Sequence, residues 1–194
     1  IDTPASSAES AAGLEASRFP QLLASIDMGS NSFRLEIAEL HKGRYKRVDY
    51  LKETVRLGAG LDEHGLLTEE AAQRGLACLA RFAQRLKGFA SWQVRAVATQ
   101  TLREARNRDA FLTRANGALG HPIEVIAGRE EARLIYSGVA HSLYDEVNKR
   151  LVVDIGGGST ELIIGRGYDT YCTESLYMGC VNMGQRFFED GKIK

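Results

Sequence analysis

Two short stretches of this chain have nearly the same sequence, and this duplication constrains the fold more than any other feature. The first covers residues 25–37 and the second covers residues 153–164. When they are aligned, Asp27 meets Asp154, and a Gly, a Ser and a Leu behind each Asp also coincide. Each stretch is typical of a buried strand that ends at an Asp, a tight turn, and a second strand of alternating polarity. We interpret them as two β-hairpins whose polar tips form opposing walls of one phosphate site.

The order of predicted elements begins again at the second hairpin. The first half predicts strands at residues 22–26, 32–40, 45–57, 92–98 and 123–126, and helices after Thr68, after Asn107 or Asp109, and at 130–142. The second half predicts strands at 151–155, 160–164 and 169–176 and a helix at 179–188. Three antiparallel strands followed by βα units indicate an α/β fold, with a mixed five-stranded sheet flanked by helices.

The domain organisation follows from this restart. We expect a first lobe with a linking helix at residues 21–142 and the incomplete, N-terminal part of a second lobe at residues 150–194. Residues 1–20 are rich in Ala and Ser and lack the basic start and apolar centre of a signal peptide, so we expect a loose or disordered tail there.

Composition and charge exclude several classes of protein. Basic and acidic residues both total 25, so the net charge is zero and does not point to nucleic acid or to an anionic membrane. The three cysteines are scattered without a metal-binding pattern, which fits a reducing compartment better than a secreted disulfide scaffold. No apolar run approaches the roughly 18 residues that span a bilayer. We therefore expect a cytoplasmic protein without an integral membrane segment, with peripheral association with a membrane left open.

The two hairpin tips carry the residue types of a phosphate site. A tight turn of Gly and small polar residues leaves backbone N–H groups pointing outward, and such a nest binds anions. The candidate phosphate ligands are Gly29, Ser30, Asn31 and Ser32 in the first tip and Gly156, Gly157, Gly158, Ser159 and Thr160 in the second. Asp27 and Asp154 lie at strand ends, where they suit Mg²⁺. The alternative is that both are ordinary hairpin turns, and the duplication argues against it.

Three further features of the sequence predict catalysis beside the tips. A pair of carboxylates, Glu130 and Glu131, opens a predicted helix, where one of them can serve as a general base or simply stabilise the first helical turn. Glu161 follows the second tip and either steers water or a metal ion or faces solvent. Arg103 follows a predicted strand and either contacts a terminal phosphate or is one of several surface arginines.

Taken together, these motifs resemble those of the exopolyphosphatase / guanosine pentaphosphate phosphohydrolase (Ppx/GppA) family. The resemblance extends over about residues 22–188 and rests on five segments in family order: Asp27–Phe33, Thr101–Arg103, Gly128–Tyr136, Asp154–Glu161 and Met178–Val181. It implies the ribonuclease-H-like, actin-like ATPase fold, in which two lobes close on a phosphate-filled cleft. Gly158, within the Gly-Gly-Gly-Ser-Thr-Glu segment, is more similar to exopolyphosphatases than to pentaphosphate hydrolases.

The resemblance also implies an activity and residue roles. The activity is Mg²⁺-dependent hydrolysis of the terminal phosphoanhydride of inorganic polyphosphate, or of the 5′-γ-phosphate of guanosine pentaphosphate (pppGpp), by a homodimer when full length. By position, the catalytic base falls on Glu131, the residue that positions water or metal on Glu161, and the phosphate-contacting arginine on Arg103. Two other classes stay open: a nucleotide-gated scaffold of the same fold, and a sugar or acetate kinase. We expect the 194-residue chain alone to be inactive.

Overall fold

The computed structural model describes residues 21–41, 44–143 and 145–188. The predicted tail at residues 1–20 and the end of the predicted second lobe at residues 189–194 lie outside the described residues. Among the described residues, no helix is both long and apolar enough to cross a membrane.

A five-stranded mixed sheet forms the first half of the molecule. Its strands are β1 (Leu22–Met28), β2 (Ser32–His41), β3 (Arg44–Thr54), β4 (Val94–Ala98) and β5 (Ile123–Val125), in the spatial order β3-β2-β1-β4-β5. The first three strands pair antiparallel, whereas β4 and β5 join the other edge of β1 in parallel. The carboxyl ends of β1, β4 and β5 therefore meet at one edge of the sheet, where the candidate site lies.

Helices α1 (Glu69–Arg85) and α3 (Arg108–Leu119) cover one face of this sheet. Alternate residues of β1 are buried beneath them, namely Ala24, Ile26 and Met28. The predicted N-cap of α1 is confirmed, because the Thr68 hydroxyl oxygen accepts a hydrogen bond from the N–H of Ala71. The two helices and the strands share one apolar core, which fixes the site-bearing edge of the sheet in place.

A second sheet contains β6 (Arg150–Ile155), β7 (Thr160–Arg166) and β8 (Asp169–Leu176), all antiparallel in the order β6-β7-β8. Helix α4 (Gly128–Ser142) follows β5 in the chain but packs on this second sheet. Its residues Ala132, Tyr136 and Ala140 form a small core with Ile163 of β7. Helix α4 thus joins the two sheets, and helix α5 (Cys180–Phe187) follows β8.

Three differences between the predicted and the observed elements have a visible physical reason. The strand predicted to extend to residue 57 ends at Thr54, because the N–H groups of Val55 and Arg56 turn away and bond the carbonyl of Asn31. The strand predicted from Trp92 begins only at Val94, since a single 3₁₀ turn precedes it and Trp92 is 58% exposed.

The third difference is a short helix, α2 (Gln100–Glu104), in the segment at the end of the fourth predicted strand, where no helix was predicted. Five residues are too few for helical periodicity to be visible in a sequence. The helix matters because it fixes the direction of Arg103 and of Gln100, both of which lie beside the candidate site.

Candidate active site

The two hairpin tips share one turn geometry. In the first tip the N–H of Gly29 donates to the carbonyl of Ser32 at 3.2 Å, and in the second the N–H of Gly156 donates to the carbonyl of Ser159 at 2.9 Å. A side chain at either glycine would place its Cβ about 3 Å from that same carbonyl, at 3.0 and 3.1 Å respectively. The duplication in the sequence is therefore a duplication of structure, and each glycine allows the same close approach of backbone to backbone.

The tips also lie against each other. A Cβ on Gly157 would be 3.4 Å from the Cβ of Asn31 and 3.5 Å from the Cβ of Ser30. Between the tips is a cleft of about 210 Å³. Its lining includes most of the predicted site residues: Asp27, Gly29, Ser30, Asn31, Ser32, Glu131, Asp154, Gly156, Gly157, Gly158, Ser159 and Glu161.

Backbone hydrogen bonds from the segment after β3 hold the first tip. The carbonyl of Asn31 accepts from the N–H groups of Val55 and Arg56, at 3.0 and 2.8 Å, and the carbonyl of Ser30 accepts from Gly58 at 2.8 Å. Arg56 has a positive φ of 53°, so the chain makes a sharp bend to reach the tip. The carbonyls of Ser30 and Asn31 are thus held by the segment that follows β3, which fixes the tip in place.

The start of α5 holds the second tip. The N–H groups of Cys180 and Val181 donate to the carbonyls of Gly156 and Gly157, each at 2.9 Å. A Cβ on Gly179 would lie 2.4 Å from the backbone of Gly157, so only glycine fits at that contact. The Met178–Val181 segment therefore has a structural explanation: it carries the second tip.

Glu131 lies in the first turn of α4, and its carboxylate lines the cleft. Its side chain is 16% exposed, and its Oε2 accepts from Nη1 of Arg103 at 2.7 Å. Burial raises the pKa of Glu131 to about 7, and the charges of Glu161 and Asp27 act in the same direction while Arg103 opposes them. A buried carboxyl with a pKa near neutrality has the properties of a general base.

Glu161 lies on β7, one residue beyond the second tip, and is only 1% exposed. The Ser175 hydroxyl donates to its Oε1 at 2.8 Å. The alternative that Glu161 faces solvent is therefore wrong. Its carboxylate reaches the same cleft as Glu131 from the other sheet.

Arg103 reaches the cleft indirectly. Its Nη1 donates both to Glu131 and to the carbonyl of Ile126, at 2.7 and 3.0 Å, and its side chain is 18% exposed. The alternative of a surface arginine is therefore wrong. Arg103 does not line the 210 Å³ cleft but an adjoining cavity of about 340 Å³, so in this structure its partner is the carboxylate of Glu131.

Thr160 requires a correction. It was predicted as a phosphate ligand, but its hydroxyl donates to the carbonyl of Met178, and the residue is buried outside the lining of the cleft. The physical reason is register, because Thr160 begins β7 and lies opposite Leu176 of β8. Its side chain fastens the second tip to the end of β8.

Two cationic side chains that sequence analysis missed also line the cleft, Arg34 and Lys52. Asp27, Arg34 and Lys52 occupy one row across β1, β2 and β3. Nη1 of Arg34 donates to Asp27 at 2.8 Å. The hairpin register contains this signal, because residues that face each other across adjacent strands share a face of the sheet. Thr99 and Cys180 line the cleft as well, and no local pattern marks them.

Asp27 and Asp154 are the candidate metal ligands. Burial raises the pKa of Asp27 despite Arg34, and the nearby charge of Asp154 adds to the increase. Among the described residues, no three His, Cys, Asp or Glu side chains group closely enough to hold a metal by themselves. Mg²⁺ is usually held by one or two carboxylates together with water and substrate phosphates. Two aspartates beside a pair of glycine-rich tips fit that pattern.

Comparison with known proteins gives the family of this architecture. The sequence model of the Ppx/GppA phosphatase family matches residues 15–194. A Vibrio vulnificus protein named guanosine-5'-triphosphate,3'-diphosphate pyrophosphatase is 51% identical over 172 residues, which cover 89% of this chain and 34% of that protein. The chain thus spans about a third of the length of this curated relative.

Solved structures agree with the sequence comparison. An exopolyphosphatase from Cytophaga hutchinsonii matches with a TM-score of 0.81 and 34% identity, covering 87% of this chain and 54% of that one. The Aquifex aeolicus PPX-GPPA enzyme matches with a TM-score of 0.75 and 37% identity, covering 87% and 56%. The predicted mixed five-stranded sheet with flanking helices is confirmed, and the fold is that of these solved structures.

Proposed function

Because the chain belongs to the Ppx/GppA phosphatase family, we propose that the protein hydrolyses a terminal phosphoanhydride bond and releases orthophosphate. The observation that carries the proposal is the position of Glu131. Its carboxyl group, with a pKa of about 7, lines a cleft whose two walls are glycine-rich tips. Since the chain covers only part of its relatives' length, the proposal concerns the whole protein.

The tips bind the terminal phosphoryl group. Glycines and small polar residues of both tips line the cleft, and tips of this composition stabilise negative charge from two directions. Arg34 and Lys52 add positive charge on the first-sheet side. Phosphoryl transfer depends mostly on such positioning and electrostatic stabilisation, and an arrangement that is already formed before the substrate arrives is suited to it.

Glu131 activates the attacking water. Its ionised carboxylate accepts a proton from the water as the water oxygen bonds to phosphorus, and the bond from phosphorus to the bridging oxygen breaks. The leaving phosphate takes the electron pair of that bond, and the proton held by Glu131 is later released to solvent. Arg103 orients the base through its short hydrogen bond, and Glu161, held by Ser175, keeps negative charge nearby and so helps to raise the pKa of Glu131.

Asp154 and Asp27 are the residues that would hold Mg²⁺. When bound, the metal supplies positive charge for the non-bridging oxygens of the phosphoryl group. The half-buried carboxylate of Asp27 already has Arg34 as a partner, whereas Asp154 is exposed to the cleft, so Asp154 is the stronger candidate.

Two substrates have equal support. Relatives of this chain carry the names exopolyphosphatase and guanosine-5'-triphosphate,3'-diphosphate pyrophosphatase. Because relatives of both names match this chain, the names do not decide between the two substrates. We therefore propose inorganic polyphosphate and guanosine pentaphosphate as two candidate substrates of equal standing. Homodimer formation and a cytoplasmic location stay predictions from the sequence.

The proposal is tested by phosphate release from the full-length protein. Long-chain polyphosphate and guanosine pentaphosphate are supplied in parallel, each with Mg²⁺ and with a chelator. We expect release from at least one substrate, dependent on Mg²⁺. Tight ATP binding in calorimetry, with neither substrate hydrolysed, would overturn the proposal in favour of a nucleotide-gated scaffold.

A further inference from the structure

Gln100 is a buried polar residue that lies between the two tips, and the mechanism above gives it no role. It is the first residue of α2 and is 6% exposed. The hydroxyl of Ser30 in the first tip donates to its Oε1 at 3.0 Å, in a buried hydrogen bond between residues 70 positions apart. A glutamine at the start of a short helix is thereby tied to the phosphate-binding turn of a different hairpin.

The other side of the Gln100 amide touches the second tip. A Cβ on Gly158 would lie 2.1 Å from Oε1 of Gln100 and 2.6 Å from its Cδ. The first distance is more than 1 Å shorter than ordinary van der Waals contact of about 3.5 Å. The side chain of Gln100 therefore occupies the space that a side chain at position 158 would need.

Each tip is otherwise held by its own half of the molecule. The carbonyl of Ser30 is fixed by the N–H of Gly58, in the segment that follows β3. The carbonyl of Gly158 is fixed by Nδ2 of Asn182, on α5. Gln100 contacts both tips at once. Its hydrogen bond holds the first tip, and the size of its side chain limits how closely the second tip can approach.

We propose that Gln100 is a positioning residue, which sets the separation of the two phosphate-binding tips by filling the space left by Gly158. The proposal rests on the proposed function, because the separation matters only if a phosphoryl group binds between the tips. An error of about 1 Å in such a site costs on the order of 100-fold in rate. Gln100 and Gly158 should therefore behave as a pair of complementary sizes.

A double-mutant cycle in the full-length protein tests this pairing. The proteins are wild type, Gln100→Ala, Gly158→Ala and the double variant. The measured quantities are kcat and KM for phosphate release, the affinity for inorganic tripolyphosphate by calorimetry, and the melting temperature. Gly117→Ala is the matched control, because a Cβ on this exposed glycine of α3 meets no atom within 4 Å.

The expected result is non-additivity in kcat. Gly158→Ala should lower kcat by about 10-fold to 100-fold, because its methyl group pushes Gln100 and the tips apart. Gln100→Ala alone should lower kcat by less, and in the double variant it should restore at least about 10-fold of the loss, since it frees the space for the methyl group. Gly117→Ala should match wild type.

Three results would overturn the proposal. The first is wild-type kcat in Gly158→Ala, and the second is additive losses in the double variant. The third is recovery of the melting temperature without recovery of kcat, which would mean that Gln100 only supports folding. If the wild-type protein hydrolyses neither substrate, the proposed function fails, but the positioning role can still be tested. The affinity for tripolyphosphate is then compared across the four proteins of the double-mutant cycle. Equal affinities in all four would overturn the positioning role.

Discussion

Replacing Glu131 by Gln should remove a pH dependence from the stability of the folded protein, measured without metal or substrate. Burial raises the pKa of the Glu131 carboxyl from its ordinary value of 4.5 to about 7. Between these two pH values, the folded protein holds a proton that the unfolded chain has released. Linkage then requires that the free energy of unfolding falls as the pH rises through this window.

The magnitude follows from the two pKa values. Ionising Glu131 costs the folded protein about 3 kcal/mol more than it costs the unfolded chain. This stabilisation is complete below about pH 4.5 and lost above about pH 7, so most of the decrease, roughly 2–3 kcal/mol, falls between pH 5 and pH 8. Glutamine has the same size and does not titrate, so the variant should lack this part of the decrease.

Urea unfolding followed by circular dichroism at several pH values between 5 and 8 measures this difference. All other titrating groups are common to both proteins, so the difference between wild type and Glu131→Gln isolates this carboxyl. Glu130→Gln is the matched control, because Glu130 lies on the same helical turn, where a hydrogen bond from Arg133 lowers its pKa. The reasoning is refuted if Glu131→Gln and wild type lose stability equally over this range.

Three further predictions concern the site and its supports. Arg103→Ala should raise the pKa of Glu131 above about 7, because a guanidinium that favours the ionised form of Glu131 is lost. The acid limb of the pH–rate profile should then move to higher pH. An unmoved limb would contradict the pairing of the two residues. Thr68→Ala should lower the free energy of unfolding by about 1 kcal/mol through loss of an N-cap, measured by urea unfolding, and an unchanged value would show that the cap is not formed. Gly165→Ala should cost about 1–3 kcal/mol in the same assay, because its Cβ would lie 2.4 Å from the ring of Tyr136, and a neutral result would mean that the two elements do not pack as described.

The hairpins were predictable because their signals are local. Alternating polarity along β2 and the Gly-containing turns fix each hairpin without knowledge of the rest of the chain. The duplication then pairs Asp27 with Asp154 and places both tips in one cleft. The Thr68 cap was predictable for the same reason, since the capping oxygen and the N–H it accepts are three residues apart.

Contacts between distant segments were not predictable. Helix α4 follows a strand of the first sheet yet packs on the second, because the apolar face formed by Ala132, Tyr136 and Ala140 meets Ile163 only in the folded chain. The role of Thr160 was wrong for a related reason, since its partner is a carbonyl 18 residues away. In each case the local sequence is compatible with several partners, and tertiary packing selects one of them.

The raised pKa of Glu131 was also not predictable, because it too depends on contacts between distant segments. The residue types alone left open which of the two adjacent carboxylates is the base, and only the resemblance to the family assigned that role to Glu131. In the structure, Glu130 is paired with Arg133 at the surface, whereas Glu131 is turned into the cleft toward Arg103. The two carboxylates therefore differ in burial, and no residue pattern shows which single side chain of such a pair is buried.

The most direct test of the proposed mechanism is phosphate release by Glu131→Gln in the full-length protein, with Mg²⁺ and the substrate that the wild type hydrolyses. Loss of the general base should lower kcat by at least about 100-fold. Tripolyphosphate should still bind with wild-type affinity, because the tips that hold it are unchanged, and Glu130→Gln should keep wild-type turnover. Wild-type kcat in Glu131→Gln would contradict the account, since the cleft would then hydrolyse phosphoanhydrides without the carboxylate assigned to the chemistry.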